Sequence, residues 1–304
     1  MRANLRLNLV VLSICMISPL SAQHQPSNSA ETEVLHISSL RGVVRENALR
    51  ALLIRLQSEP AAVRESILYY EGRIRPDLRA LVRDSDVGRE AADWLSLIGV
   101  PDDLRFILQS PPPGISTVLP NRWAYGVACS LFEPSTEEEW EFLRKCAMNG
   151  YDDRWVDFGA IETLKLIASP RSRTILEEAQ AGNQFHAEAI GRALAYIRSE
   201  PAPLQGPGLS EVVTRVGSAI RFGDWEATGR PRKNEAGDKA FVDYRFFTGE
   251  DVLTYTAAFH NVHGIWTLRG VRETMQEFAS PRIEIPRPLP PMLPPPEVQP
   301  PVQR

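Results

Sequence analysis

Five prolines, Pro60, Pro101, Pro134, Pro170 and Pro201, follow successive apolar helical stretches at intervals of 41, 33, 36 and 31 residues. Spacing this even is a repeat, and a repeat limits the possible folds more than any single motif does. Proline suits the first turn of a helix, where its missing N–H costs nothing and its fixed φ is already helical. Each one is therefore expected to open the second helix of a two-helix unit. Periods of this length predict stacked helix pairs, an α-solenoid. Such arrays offer a curved surface to partners and carry no catalytic pocket by default, so shape is more legible than task.

The clearest unit spans 84–108. Val87, Ala91, Trp94, Leu95 and Ile98 share one helical face, Ser85 or Asp86 is expected to cap it, and Pro101-Asp102-Asp103 opens the next helix. The pattern returns as Val156, Ala160, Leu164, Ile167 and Pro170, with Ile175-Leu176 echoing Ile107-Leu108. Between them lie Gly126, Ala128, Leu131 and Phe132, then a Ser135/Glu138 capping box before Trp140, Phe142 and Leu143. At the edges, Leu53, Leu56 and Ser58-Glu59-Pro60 match Leu194, Ile197 and Ser199-Glu200-Pro201, which gives four to five units over 38–203. The run Asp84-x-Asp86-x-x-Arg89-x-Ala91-Ala92 resembles a HEAT repeat of the short bacterial type. That resemblance implies an all-α solenoid that binds other proteins. A proline-rich stretch from Ser110 to Pro120 interrupts the array and is expected to form a surface excursion.

Beyond Pro201 the apolar period changes from 3.6 to 2. One short helix over 210–220 carries Val212, Val213, Val216 and Ile220 on one side, and strands follow. Phe246 is expected opposite Leu253, Tyr244 opposite Tyr255, and Val242 opposite Ala257. A turn over 261–264 would set Phe259 opposite Trp266 and Ala257 opposite Leu268, unless a bulge at Gly264 slips the last strand. With an earlier strand over 224–230, the expected unit at 207–278 is a small α+β domain, one helix on an antiparallel four-stranded meander. Gly-Asp-Lys-Ala-x-Val (237–242) and Gly-Ile-Trp-Thr-Leu (264–268) resemble strand openings of the NTF2-like or cystatin-like α+β group. The second sheet face, with Asp243, Arg245, Thr254, Thr256, Thr267 and Arg269, is expected to be wetted, since an antiparallel sheet tolerates water on one side.

Arg2 and Arg6 precede an apolar run from Leu7 to Leu20 and the small-residue site Leu20-Ser21-Ala22, so 1–22 reads as a signal peptide and the protein as exported, periplasmic or extracellular. The run falls short of the roughly 20 residues that span a bilayer, so no stable membrane insertion is expected after cleavage. Residues 23–37 read as a polar linker, and 281–304, with ten prolines in 24 residues, as a disordered tail, tether or docking strip. Formal charge is −4 for the whole chain and −6 after loss of the two leader arginines; without a basic cluster, nucleic acid is not an expected partner. Cys129 and Cys146 remain in an oxidising compartment. Their offset of seven residues along the expected hairpin is about 10 Å, too far for bridged Cα atoms within about 7 Å, so two buried thiols are expected.

No phosphate loop, nucleophile elbow, zinc motif or dinucleotide fingerprint is present, and the His-Glu pairs of HEAT-repeat di-iron enzymes have no counterpart. His260-x-x-His263 lacks converging ligands, so no metal, cofactor or catalytic residue is assigned and no enzyme is expected. The residues singled out are the repeat core, Val87, Ala91, Leu95, Ile98, Pro101, Val156, Ala160, Leu164, Ile167 and Pro170. The expected function is protein binding or scaffolding, with another protein or an envelope component as partner. The alternative is a small-molecule binder through the α+β domain, with Tyr244, Tyr255, Phe259 and Trp266 lining a pocket.

Overall fold

Helical periodicity followed by strand alternation is what the computed structural model shows. It describes residues 28–56, 60–113, 122–149, 153–220, 224–248 and 251–278. The expected leader, the proline-rich tail and the 114–120 part of the excursion lie outside them. Eleven helices come first: α1 (Asn28–Ser39), α2 (Gly42–Leu56), α3 (Pro60–Tyr69), α4 (Glu71–Leu81), α5 (Gly88–Ile98), α6 (Pro101–Gln109), α7 (Arg122–Ala128), α8 (Glu137–Ala147), α9 (Arg154–Ile167), α10 (Pro170–Gly182) and α11 (Ala187–Arg198). The linker expected at 23–37 is therefore helical from Asn28, and Val34 and Ile37 bury against the rest. Two valines or isoleucines at i, i+3 suffice for a helix to bury one side, even in a mostly polar segment.

Three of the five prolines begin helices. Pro101 and Pro170 open α6 and α10, as expected, but Pro60 opens α3, a first-layer helix. Pro134 stands ahead of a capping box formed by Thr136 and Glu139, one residue later than expected: Thr136 Oγ1 accepts from Glu139 N at 3.3 Å and Glu139 Oε2 accepts from Thr136 N at 2.9 Å. Pro201 leads into the sheet. The N-cap position of α5 is Val87, with no side-chain cap bond, and Asp84 Oδ1 accepts from Asp86 N and Val87 N at 2.8 and 3.1 Å in the turn that leads into it. A carboxylate two and three residues upstream reaches both turn amides, so the local bond forms before the helix and neither Ser85 nor Asp86 caps it.

The helices fall into two layers. Among odd-numbered helices α1 meets α3, α5 meets α7, α7 meets α9 and α9 meets α11. The even-numbered helices are joined by arginine–carboxylate pairs: Arg45 with Asp77, Arg79 with Asp103, Arg105 with Glu139, and Arg144 with Glu178. The apolar core between the layers contains every expected aliphatic core position, Val87, Ala91, Leu95, Ile98, Val156, Ala160 and Leu164, with Ile167 packed at its margin. Cys129 and Cys146 are both buried and unpaired thiols.

The sheet is antiparallel, in the order β1 (Gln205–Gly206), β5 (Ile265–Phe278), β4 (Asp251–Val262), β3 (Lys239–Thr248), β2 (Asp224–Lys233). The four long strands form a meander, and β1 adds a two-residue edge. Helix α12 (Leu209–Ala219) packs on one face. The pairs Phe246–Leu253, Tyr244–Tyr255 and Val242–Ala257 occur as expected. The last hairpin differs. Its turn is the two residues His263 and Gly264, both at positive φ (53° and 83°), so Val262 faces Ile265 and Phe259 faces Leu268 rather than Trp266. A shift of two keeps every side chain on its face. An irregularity beyond Leu268 then brings Val271, instead of Leu268, opposite Ala257.

Candidate functional site

Both faces of the sheet are covered. On one, Tyr244, Tyr255, Phe259 and Trp266 lie in an apolar cluster with Val212, Val213 and Val216 of α12, and Tyr244 Oη donates to Val213 O at 2.8 Å. Those four aromatics are core residues, and the larger cleft described below is lined by none of them. The other face, expected to be wet, packs on the odd-numbered helices and the start of α4, which buries Thr254 and Thr256 and leaves Asp243, Arg245, Thr267 and Arg269 half-buried. Thr256 is fully buried, and Phe241 and Ala258 belong to the helical core. A polar strand face can be covered when the opposing helices carry complementary charges, and they do.

Arg272 on β5 makes the central contact. Its Nη1 donates to Asp93 Oδ1 at 2.5 Å and to Asp93 O at 2.9 Å, with the two side chains 6% and 3% exposed. Asp93 also holds Arg122 Nε at 2.9 Å, and its charge, more than that of Glu90, keeps the Arg122 guanidinium above its ordinary pKa. Gly126 makes this possible: a Cβ there would stand 2.8 Å from Asp93 Oδ1 and 2.9 Å from Arg272 Nη1. Lys239, at the start of β3, lies 2.9 Å from Glu71 Oε2 and donates to Ile98 O at 2.8 Å; Asn234 Nδ2 donates to Glu71 Oε1 at 3.0 Å. Arg232 bridges Asp243 on β3 and Glu65 on α3, and Thr256 Oγ1 donates to the same Asp243 carboxylate at 2.7 Å.

The helices also close the edge of β5 beyond the short β1 pairing. Val271 N donates to Cys129 O at 3.0 Å and Glu273 N to Tyr125 Oη at 2.9 Å. An open edge would leave these amides as a template for another strand. Burial around this junction raises the Glu273 carboxyl and, more strongly, the Tyr125 and Tyr255 hydroxyls, and pushes the Cys129 thiol up to about 12. At that value it is a protonated core thiol, a poor nucleophile.

His260 faces the same seam. Only 8% of its surface is exposed, and burial first, then Lys239 and Arg269, lower its pKa to about 3. His263 sits exposed in the turn, so the two histidines do not converge. Among the described residues, no group of three or more His, Cys, Asp or Glu side chains is placed to hold a metal ion.

Where the seam opens, a cleft of about 290 Å³ lies between the end of α9, Tyr196 of α11, the loop after α7, residues 201–205 and β5. Phe132, Leu166, Tyr196, Leu204 and Leu268 give it apolar walls, and Glu133, Gln205 and Thr267 make nearly half of its lining polar. It is open to solvent and contains no convergent set of acid, base and nucleophile. The sequence did carry a signal for the seam: Asp93 interrupts the run Ala91-Ala92-Asp93-Trp94-Leu95-Ser96-Leu97-Ile98, apolar nearly all round. A helix of that kind is buried on more than one side, and its lone charge must find a partner. No family model matches this chain, and no curated protein or solved structure resembles it closely enough to count as a match.

Proposed function

We propose that this chain is an exported protein-binding scaffold, a HEAT-like solenoid whose odd-helix layer is occupied by its own NTF2-like or cystatin-like α+β part and whose even-helix layer is open to a partner. The observation that carries this reading is the separation between paired residues on even-numbered helices. Arg105 and Glu139, Arg144 and Glu178, and Glu137 and Arg171 are each 34 residues apart, as are Arg50 of α2 and Asp84 in the connection ahead of α5; Arg45 and Asp77 are 32 apart, and Arg79 and Asp103 are 24. Contacts recurring mostly near one period support stacked repeats. The exposed pairs among them, such as Arg144–Glu178 and Arg171–Glu137, individually add little stability, so they speak to register rather than to strength.

Two measurements test the proposal. The mature protein isolated from the envelope should begin at Gln23; an intact leader in a cytoplasmic fraction would refute export. Photo-crosslinkers placed at Glu141 and Arg173 on the even layer should capture one recurrent partner, which crosslinkers at the seam should not. A protein that elutes alone and crosslinks to nothing refutes the scaffold.

A further inference from the structure

We propose that the cleft beside Phe132 and Tyr196 is the docking site for this chain's own proline-rich segment, with residues 288–296 as the docked stretch. This rests on the cleft and the tail sequence, and stands or falls apart from the scaffold reading. The cleft's volume, about 290 Å³, is at the small end for ligand pockets and suits a few residues of extended peptide. Its chemistry is that of a proline-reading groove. Tyr196 and Phe132 supply aromatic walls, Leu166, Leu204 and Leu268 an aliphatic floor, and Pro201 and Pro203 a stiff rim.

The tail has the matching pattern. A polyproline II helix repeats every three residues, so Pro288, Pro291 and Pro294 fall on one edge, and Leu289, Met292 and Pro295 on the next. Reach then selects the segment. β5 ends at Phe278, and Leu268 in the cleft lies ten residues back along the same strand, about 33 Å away at roughly 3.3 Å per residue. Retracing that distance at about 3.1 Å per residue takes about eleven residues beyond the strand, which brings the densest prolines, near Pro290, to Tyr196. Binding in cis costs little, because a tether of this length holds its segment near millimolar effective concentration. A preformed extended helix also loses little entropy on docking.

The test uses the full chain and a fluorescein-labelled peptide of residues 281–304. One protein is wild type; in the other, Pro288→Ser, Pro290→Ser, Pro291→Ser, Pro294→Ser, Pro295→Ser and Pro296→Ser are combined. The serine-tailed protein should bind the peptide, and the wild type about tenfold more weakly because its own tail competes. Tyr196→Ala in the serine-tailed chain should weaken binding at least about tenfold while the far-UV spectrum stays unchanged. Absence of binding to the serine-tailed protein at about 1 mM, or equal affinity for both proteins, overturns the proposal. A wild-type dimer that becomes monomeric when the tail is changed also overturns it, since the tail would then occupy a second copy.

Discussion

Replacing Arg272 by methionine is the sharpest perturbation of the seam. The long apolar stem is kept, but Asp93 loses a charge-assisted bond at 2.5 Å in a site where both side chains are nearly inaccessible. Removing one partner of a buried pair costs about 3–5 kcal/mol, most of it the desolvation of the charge left behind. Arg122 remains 2.9 Å from Asp93 and is partly exposed, so the lower end, about 3 kcal/mol, is expected. With a urea slope of about 3 kcal/mol/M for a chain of this size, the midpoint should fall by about 1 M. Asp93→Ala should cost a similar amount by stranding Arg272. The double variant should cost less than the sum, with a coupling of about 1.5 kcal/mol or more.

Hydrogen exchange separates this effect from general loosening. The Val271 and Glu273 amides, bonded to Cys129 O and Tyr125 Oη, should exchange faster in Arg272→Met well before the amides between β3 and β4. If the single variant costs under about 1 kcal/mol and the coupling is within about 0.3 kcal/mol of zero, the pair does not hold the sheet on the helices. The account of the seam is then wrong.

Gly126→Ala should destabilise by about 1–3 kcal/mol through its clash with Ser96 and Asp93, whereas Gly191→Ala, open on all sides within α11, should stabilise by about 0.5–1 kcal/mol; thermal melts of the two decide this. Cys129 and Cys146 should resist a thiol reagent at pH 8 until the protein unfolds, because both are buried with raised pKa values; fast native labelling would contradict the packing. Burial pushes the Glu139 carboxyl upward, but the Ser135 and Thr136 amides and Arg105 outweigh it and hold it below the ordinary glutamate value. Its stabilising contribution is thus complete above about pH 4.3 and fades as the pH falls through the lowered value, so Glu139→Gln should flatten the acid limb of a stability–pH curve.

The interior of the helical part was legible because one physical rule produces it: a helix with an apolar stripe must bury that stripe. Val87, Ala91, Leu95 and Ile98 could be placed from spacing alone, and so could the Tyr244–Tyr255 pairing. The last hairpin's register was not legible in the same way. It depends on His263 adopting positive φ, which histidine does infrequently, where a four-residue loop fitted the sequence as well. The second sheet face was misjudged for a different reason. Threonines, Asp243 and Arg272 look alike in sequence whether they meet water or opposing charges, and only the tertiary arrangement tells the two apart.

The seam also changes what a boundary near Pro203 means. Phe241 and Ala258 of the sheet are part of the helical core, and Leu166 of α9 is part of the core beneath α12. Each half completes the other's interior, so the change of periodicity marks a change of architecture without marking a hinge. Residues 28–203 expressed alone would expose Asp93, Glu71 and the contact surfaces of Phe241 and Ala258 together, a mixed patch of stranded charge and bare apolar surface. That fragment should melt broadly and well below the full chain, and mixing it with residues 204–304 should restore a single sharp transition. If it instead melts as cooperatively and as high as the intact protein, the two parts are neighbours in contact rather than one folding unit, and the odd-helix layer is free to accept a partner in place of the sheet.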